Sequence, residues 1–146
     1  WSKLVVSCGI NPLTALLRVP NGALATDDRA RNLMFAAAEE TASVALALGI
    51  DLPYPDASQR VLEVARATAA NQSSMLQDVL RGSETEIDAI CGSVVRFGRK
   101  VGIGTPVNEE FLRLIESLHT PPPGDKIRSA IEPLQELLQQ EKGENN

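Results

Sequence analysis

Ile87-Asp88-Ala89-Ile90-Cys91-Gly92-Ser93-Val94-Val95-Arg96-Phe97-Gly98-Arg99-Lys100-Val101 is the stretch that decides the fold class. Ile87, Ile90, Cys91, Val94, Gly98 and Val101 fall at i, i+3, i+4, i+7, i+11 and i+14, one apolar stripe on a helical period. Gly102 follows as a helix stop. Thr105-Pro106 then opens another helix, with Thr as cap and Pro at the first helical position, where its missing N–H costs nothing. The stripe of that helix is Val107, Phe111, Leu114, Ile115 and Leu118.

Toward the N-terminus the same signals repeat. Gly82 closes a short helix over Ser74–Arg81, and Asn71–Ser73 separates it from a helix over 58–69. Pro53 and Pro55 make Asp51–Asp56 a loop. A long helix starts near Thr26 or Asp27, either of which can cap it, and runs to Leu48 before Gly49. Leu33, Ala37, Val44 and Leu48 recur along it at helical spacing. Pro20-Asn21-Gly22 is a turn, and residues 2–17 read as an apolar helix in which Asn11-Pro12 predicts a kink or a break. Sustained period-two alternation is scarce, so the expected fold is an all-α helical bundle. After His119 the composition shifts. Thr120-Pro121-Pro122-Pro123-Gly124-Asp125 reads as a stiff linker, followed by a polar tail in which Pro133 can open a short helix ending near Gln140. The expected organisation is therefore a helical domain over 1–119 and a linker and tail over 120–146.

Composition bounds the function. With 146 residues, 43% hydrophobic and 23% charged, the chain is an ordinary soluble globular protein. No apolar run reaches the roughly 20 residues needed to span a bilayer, so no membrane partner is expected. A formal charge of -5 argues against a nucleic-acid partner, which would need a basic face. Cys8 and Cys91 sit on apolar helical stretches and read as buried reduced thiols, which suits a cytoplasmic location. A single His119 and no Cys/His cluster leave no ligand set for zinc. The chain opens on Trp1 directly into a helix, and a further segment is expected to precede it.

Several polar residues carry two readings. Lys3, among Leu4, Val5 and Val6, is either a surface lysine or a partly buried one tuned for proton transfer. Asn11 can satisfy backbone groups freed by Pro12 or donate to a substrate oxygen. Asn21 is a turn residue first. Ser73 and Ser74 open a helix, where serine caps and where free N–H groups also favour an anion. Ser83-Glu84-Thr85-Glu86 fits a capping box with Glu86 returning to the cap. One of Glu39 and Glu40 is expected to face inward. No nucleophile–base pair, metal cluster or Gly-rich phosphate loop is present, and Gly102-Ile103-Gly104 follows no strand.

Taken together, these residues resemble a known family. Trp1-Ser2-Lys3-Leu4 with Asn11-Pro12-Leu13-Thr14-Ala15, then Asn21-Gly22, resembles the opening of the ketopantoate reductase C-terminal domain. Ser73-Ser74-Met75-Leu76-Gln77-Asp78, Thr85-Glu86-Ile87-Asp88 and Thr105-Pro106-Val107-Asn108 resemble its later signatures, so the likeness covers Trp1 to Leu118. The resemblance implies a fold of the 6-phosphogluconate dehydrogenase C-terminal-like type. It also implies an NADPH-dependent reduction of 2-dehydropantoate (ketopantoate) to (R)-pantoate, in pantothenate and coenzyme A synthesis. The partner would be an N-terminal Rossmann domain that binds NADPH, and a homodimer is a further partner to expect. Lys3 is implied as the general acid. Asn11, Asn21, Ser74 and Glu86 are implied as substrate contacts, with Glu86 also toward the cofactor, and Glu40 lies near a family acidic position. Ser7 stands one turn after Lys3, where the family often has Asn; it is a shorter substrate contact. Without a G-x-G-x-x-G turn the chain alone is expected to be inactive. Two alternatives remain: a reductase of another branched 2-oxo acid, favoured by Ser7, and a non-catalytic helical module for dimerisation.

Overall fold

The computed structural model describes residues 1–118, and no strand interrupts the helices there. The order is α1 (Ser2–Leu17), α2 (Ala23–Thr26), α3 (Asp28–Ala47), α4 (Ala57–Ala67), α5 (Ser74–Arg81), a π-helical turn (Asp88–Gly92), α6 (Ser93–Val101) and α7 (Pro106–Leu118). His119 and the linker and tail over 120–146, with the helix expected from Pro133, lie outside the described residues.

The all-α bundle read from the sequence is the fold observed. Helix α1 is its axis, touching α3, α4, α5, α7 and the π turn. It buries Val5, Cys8, Ile10, Leu13, Ala15 and Leu16, which meet Leu33, Met34 and Ala37 of α3, Val61 of α4, Leu76 of α5 and Phe111 and Ile115 of α7 in one core. Each large side chain fully removed from water contributes about 1.5–3 kcal/mol. That burial explains the first departure, from the break allowed beside a kink at Asn11-Pro12: there is no break, and α1 runs on through Pro12 to Leu17. The buried residues on both sides outweigh the roughly 3 kcal/mol that an interior proline costs. Thr14 Oγ also donates back to the carbonyls of Ile10 and Asn11, at 3.0 Å each.

A second departure lies in the deciding stretch itself. A regular helix is expected over 87–101, and Asp88–Gly92 is instead π-helical. Ile87, Ile90, Cys91, Val94 and Gly98 are all buried, so the stripe still faces the core. Arg96 braces this turn: its guanidinium donates to the Asp88 carboxylate at 2.6 Å and to the Asp88 backbone carbonyl at 3.1 Å.

The caps show which ends are local and which are not. Asp27 caps α3, accepting from Arg29 N and Ala30 N at 2.9 and 3.0 Å. The Ala30 N–H, the larger influence, and the Arg29 N–H hold its carboxyl below the ordinary carboxylate range. Gly82 and Gly102 end α5 and α6 at φ 69° and 73°, a conformation glycine adopts without penalty. The capping box at Ser83–Glu86 does not form, because the helix begins three residues later than that box requires, at Ile87. Nor does the Thr105 side chain cap α7. The α7 N-terminus is capped by Glu40 of α3, which accepts from Val107 N at 2.8 Å and from Asn108 N at 3.0 Å. Asn108 Nδ2 adds a bond to Glu40 at 2.7 Å and one to the Ala37 carbonyl at 3.1 Å. The inward-facing glutamate is thus Glu40, and its visible work is to join α3 to α7. Glu39 stays on the outside, accepting from Ser58 Oγ.

Candidate functional site

Lys3, Ser7 and Asn11 lie at i, i+4 and i+8 on α1, so they share one helix face. Lys3 is exposed, and Ser7 and Asn11 are half-buried. None of the three side chains makes a hydrogen bond among the described residues. From Lys3 to Asn11 is roughly 12 Å along the axis, at 1.5 Å per residue.

Two further elements are registered against this helix. Ser73 is buried and caps α5 by accepting from Leu76 N at 3.1 Å, while its hydroxyl meets Thr14 Oγ at 2.7 Å. Thr14 is one turn past Asn11, so the start of α5 is pinned to that end of α1. Ser74, the first residue of α5, is exposed and its hydroxyl has no partner among the described residues. The two adjacent serines therefore divide: Ser73 is structural, and Ser74 is free beside the N–H groups that open α5.

The helix after Ile87 runs antiparallel to α1. Phe97 meets Trp1 edge-on with ring centroids 5.7 Å apart, and Cys91 lies against Cys8. Glu86 lies in the bend just before that helix. Glu86 is exposed, and its carboxylate makes no hydrogen bond among the described residues. Burial, and then the neighbouring Cys8 thiol, push the Cys91 thiol well above its ordinary value, so it stays neutral. Both cysteines are buried and unpaired, as the sequence suggested.

Asn21 belongs to a different layer. It is buried, and Nδ2 donates to Thr68 Oγ at 2.9 Å. Its backbone N–H donates to the Asn71 carbonyl at 3.0 Å, and Gly22 N–H to the Ala69 carbonyl at 3.0 Å. A Cβ on Gly22 would lie 2.9 Å from Ala69 Cα, so glycine is required for this close approach. The Pro20–Gly22 turn is thereby fastened to the loop that leads into Ser73. Asn21 Oδ1 is left buried without a partner among the described residues, and so it retains one acceptor for a ligand or a water.

The site thus has a cation at one end of α1, an amide and a hydroxyl along the same face, and a free serine beside the far end. Thr14, Ser73 and Glu40, which hold these parts in place, were not distinguishable from the sequence as supports. Their partners lie 59 and 67 or more residues away.

Comparisons with known proteins bear on the family and the fold. Residues 1–119 match the family described as ketopantoate reductase PanE/ApbA C terminal. The chain is 44% identical over 117 residues to a 2-dehydropantoate 2-reductase of Pyrobaculum aerophilum, covering 80% of this chain and 42% of that protein. Among solved structures it resembles a PanE/ApbA family ketopantoate reductase from Ralstonia eutropha JMP134, with a TM-score of 0.76, 33% identity, and coverage of 82% of this chain and 40% of that one. It also resembles D-mandelate dehydrogenase, solved with NADH and anilino(oxo)acetate, with a TM-score of 0.74, 26% identity, and coverage of 81% and 39%. The chain spans about two fifths of the length of the relatives it matches. Matched over more than three quarters of its length, and with the helical fold that match requires, the chain belongs to the ketopantoate reductase C-terminal domain family.

Proposed function

We propose that this chain is the substrate-side domain of a 2-dehydropantoate 2-reductase, acting with a nucleotide-binding domain to reduce ketopantoate to (R)-pantoate in pantothenate and coenzyme A synthesis. The observation that carries the reading is the set of unengaged polar groups. Lys3, Ser7, Asn11, Ser74 and Glu86 have no intramolecular hydrogen-bond partner among the described residues, within a family whose named relatives reduce 2-dehydropantoate. The cofactor is a nicotinamide dinucleotide, with NADPH our specific reading, and when bound it supplies the hydride. No glycine-rich strand–turn–helix among the described residues suits its pyrophosphate, so the partner domain holds most of it, with Glu86 at its edge.

The chain's own residues then divide the remaining work. The Lys3 ammonium donates its proton to the substrate's carbonyl oxygen as negative charge develops there, and its charge stabilises that oxygen before the proton moves. Ser74 Oγ donates to the substrate carboxylate, aided by the positive end of α5. Asn11 and Ser7 donate along the intervening face, and Glu86 accepts from the substrate's hydroxyl. Asn21 contributes through its unpaired Oδ1 and by holding the loop before Ser73.

A second reading, a reductase of a different 2-oxo acid, is favoured by the likeness to D-mandelate dehydrogenase and by the short side chain of Ser7. The test is NADPH oxidation by the full-length gene product with ketopantoate, beside Lys3→Ala. We expect turnover, and a loss on the order of 10²- to 10⁴-fold in kcat for the variant, the usual worth of a general acid. Turnover with another 2-oxo acid alone would select the second reading. No turnover with any, or an unimpaired Lys3→Ala, would reject the proposed chemistry.

A further inference from the structure

The first turn of α1, which carries Lys3, is gripped from two distant parts of the chain. Tyr54, in the loop between α3 and α4, donates its hydroxyl to the Ser2 carbonyl at 3.2 Å across 52 residues. Phe97 of α6 packs edge-on against Trp1, and the Lys100 ammonium sits 5.3 Å above the Phe97 ring. The residues immediately before Lys3 are thus held by a hydrogen bond and by an aromatic contact.

Phe97 is 39% exposed, so its contact with Trp1 contributes little core burial. The Tyr54 hydroxyl spends its bond on a carbonyl that the helix ladder already serves. Stability alone gives a weak account of these two contacts.

We infer that Tyr54 and Phe97 are positioning residues for Lys3: together they fix the first turn of α1 so that the lysine ammonium reaches the substrate carbonyl in a single geometry. This rests on the proposed role of Lys3 as general acid. Neither residue touches substrate; each acts through the backbone that bears the lysine. An ångström of misplacement can cost on the order of a hundredfold in rate. Loosening one of two grips should therefore show in kcat and leave substrate binding, centred on Asn11 and Ser74, nearly unchanged.

The experiment is a set of double-mutant cycles in the full-length protein with ketopantoate and NADPH. Tyr54→Phe removes one hydroxyl, and Phe97→Ala removes the ring. Each is expected to lower kcat on the order of tenfold with KM within about twofold, and Phe97→Tyr is expected to restore it. In a Lys3→Ala background both losses should disappear, because there is no lysine left to misplace. A purely structural role would cost the same in either background, so a loss that persists beside Lys3→Ala overturns the inference, as does a Tyr54→Phe variant with wild-type kcat. Should Phe97→Ala fail to fold, the Tyr54→Phe cycle decides alone. If Lys3→Ala by itself is unimpaired, the general-acid reading fails and this inference with it. If Lys3→Ala is crippled but the cycles are additive, only the positioning role fails.

Discussion

Replacing Glu40 by alanine should be among the most damaging changes available in this fold. Its carboxylate accepts from Val107 N at 2.8 Å, Asn108 N at 3.0 Å and Asn108 Nδ2 at 2.7 Å. Val107 is 1% exposed and Asn108 is fully buried, so water cannot readily replace the lost acceptor. A buried donor left without a partner costs about 1–3 kcal/mol. The partners of Glu40 here are neutral amides whose losses overlap, so Glu40→Ala is expected to lose about 2–3 kcal/mol, a sizeable part of the roughly 5–15 kcal/mol that a domain possesses. Glu40→Gln keeps one acceptor oxygen and loses the charge that favours the positive end of α7, so it should lose about 1–2 kcal/mol. Urea unfolding of the 146-residue chain, followed by circular dichroism, measures both. With a slope of about 1–3 kcal/mol per molar urea, the alanine variant's midpoint should fall by about 1 M. A Glu40→Ala variant within 1 kcal/mol of the parent would refute the account of α7 as a helix anchored by α3.

The remaining predictions bear on the site's supports and on titration. Ser73→Ala should lose about 1–2 kcal/mol of stability, since it removes a cap and the Thr14 bond, whereas Ser74→Ala should stay within about 0.5 kcal/mol and raise KM for the 2-oxo acid in the full-length enzyme. Arg18, which ends α1 at φ 55°, is the one positive-φ residue other than glycine among those described; Arg18→Gly should stabilise the chain by about 0.5–1 kcal/mol in the same urea assay. Neither Cys8 nor Cys91 should react with an aromatic disulfide reagent faster than the protein unfolds, and both should react in denaturant. The depressed carboxyl of Asp27 contributes stability that is present above its unfolded value, near 3.8, and is lost as pH falls through its lower folded value. Asp27→Asn should therefore flatten the stability profile in that acid window, modestly because the group is exposed.

What could be read from the sequence followed the range of the interactions. Helix bodies are periodic, so the Ile87–Val101 stripe and the α7 stripe were legible without a partner in view. Stops at Gly49, Gly82 and Gly102 are local chemistry and were legible too, as was a cap at Thr26 or Asp27, of which the structure uses Asp27. The capping box at Ser83–Glu86 shows how a local motif misleads: its four residues are right, but the helix starts where the core contacts of Ile87 and Ile90 begin. The π turn was invisible because one widened turn leaves buried residues at nearly α-helical spacing. Glu40 on the α7 amides, Tyr54 on Ser2 and Thr14 on Ser73 all span more than 50 residues and leave no periodic trace.

The same distinction separates the candidate site from its scaffold. Lys3, Ser7 and Asn11 follow a helical spacing, so their common face could be derived once α1 was known to be unbroken, a point on which Asn11-Pro12 argued the other way. The choice between Ser73 and Ser74 could not be derived, since either serine suits a helix start. In the structure a contact on another helix distinguishes them: Thr14 engages Ser73, and the Ser74 hydroxyl has no partner among the described residues. Polar residues that the fold has already used, such as Ser73, Glu40 and Asn108, have little capacity left for a ligand. Those it leaves unused on half-buried or exposed ground, such as Asn11 and Ser74, keep theirs. In this domain the substrate-side reading rests on that residue-by-residue accounting of spent and unspent hydrogen-bonding groups, which the helical periodicity of the sequence does not contain.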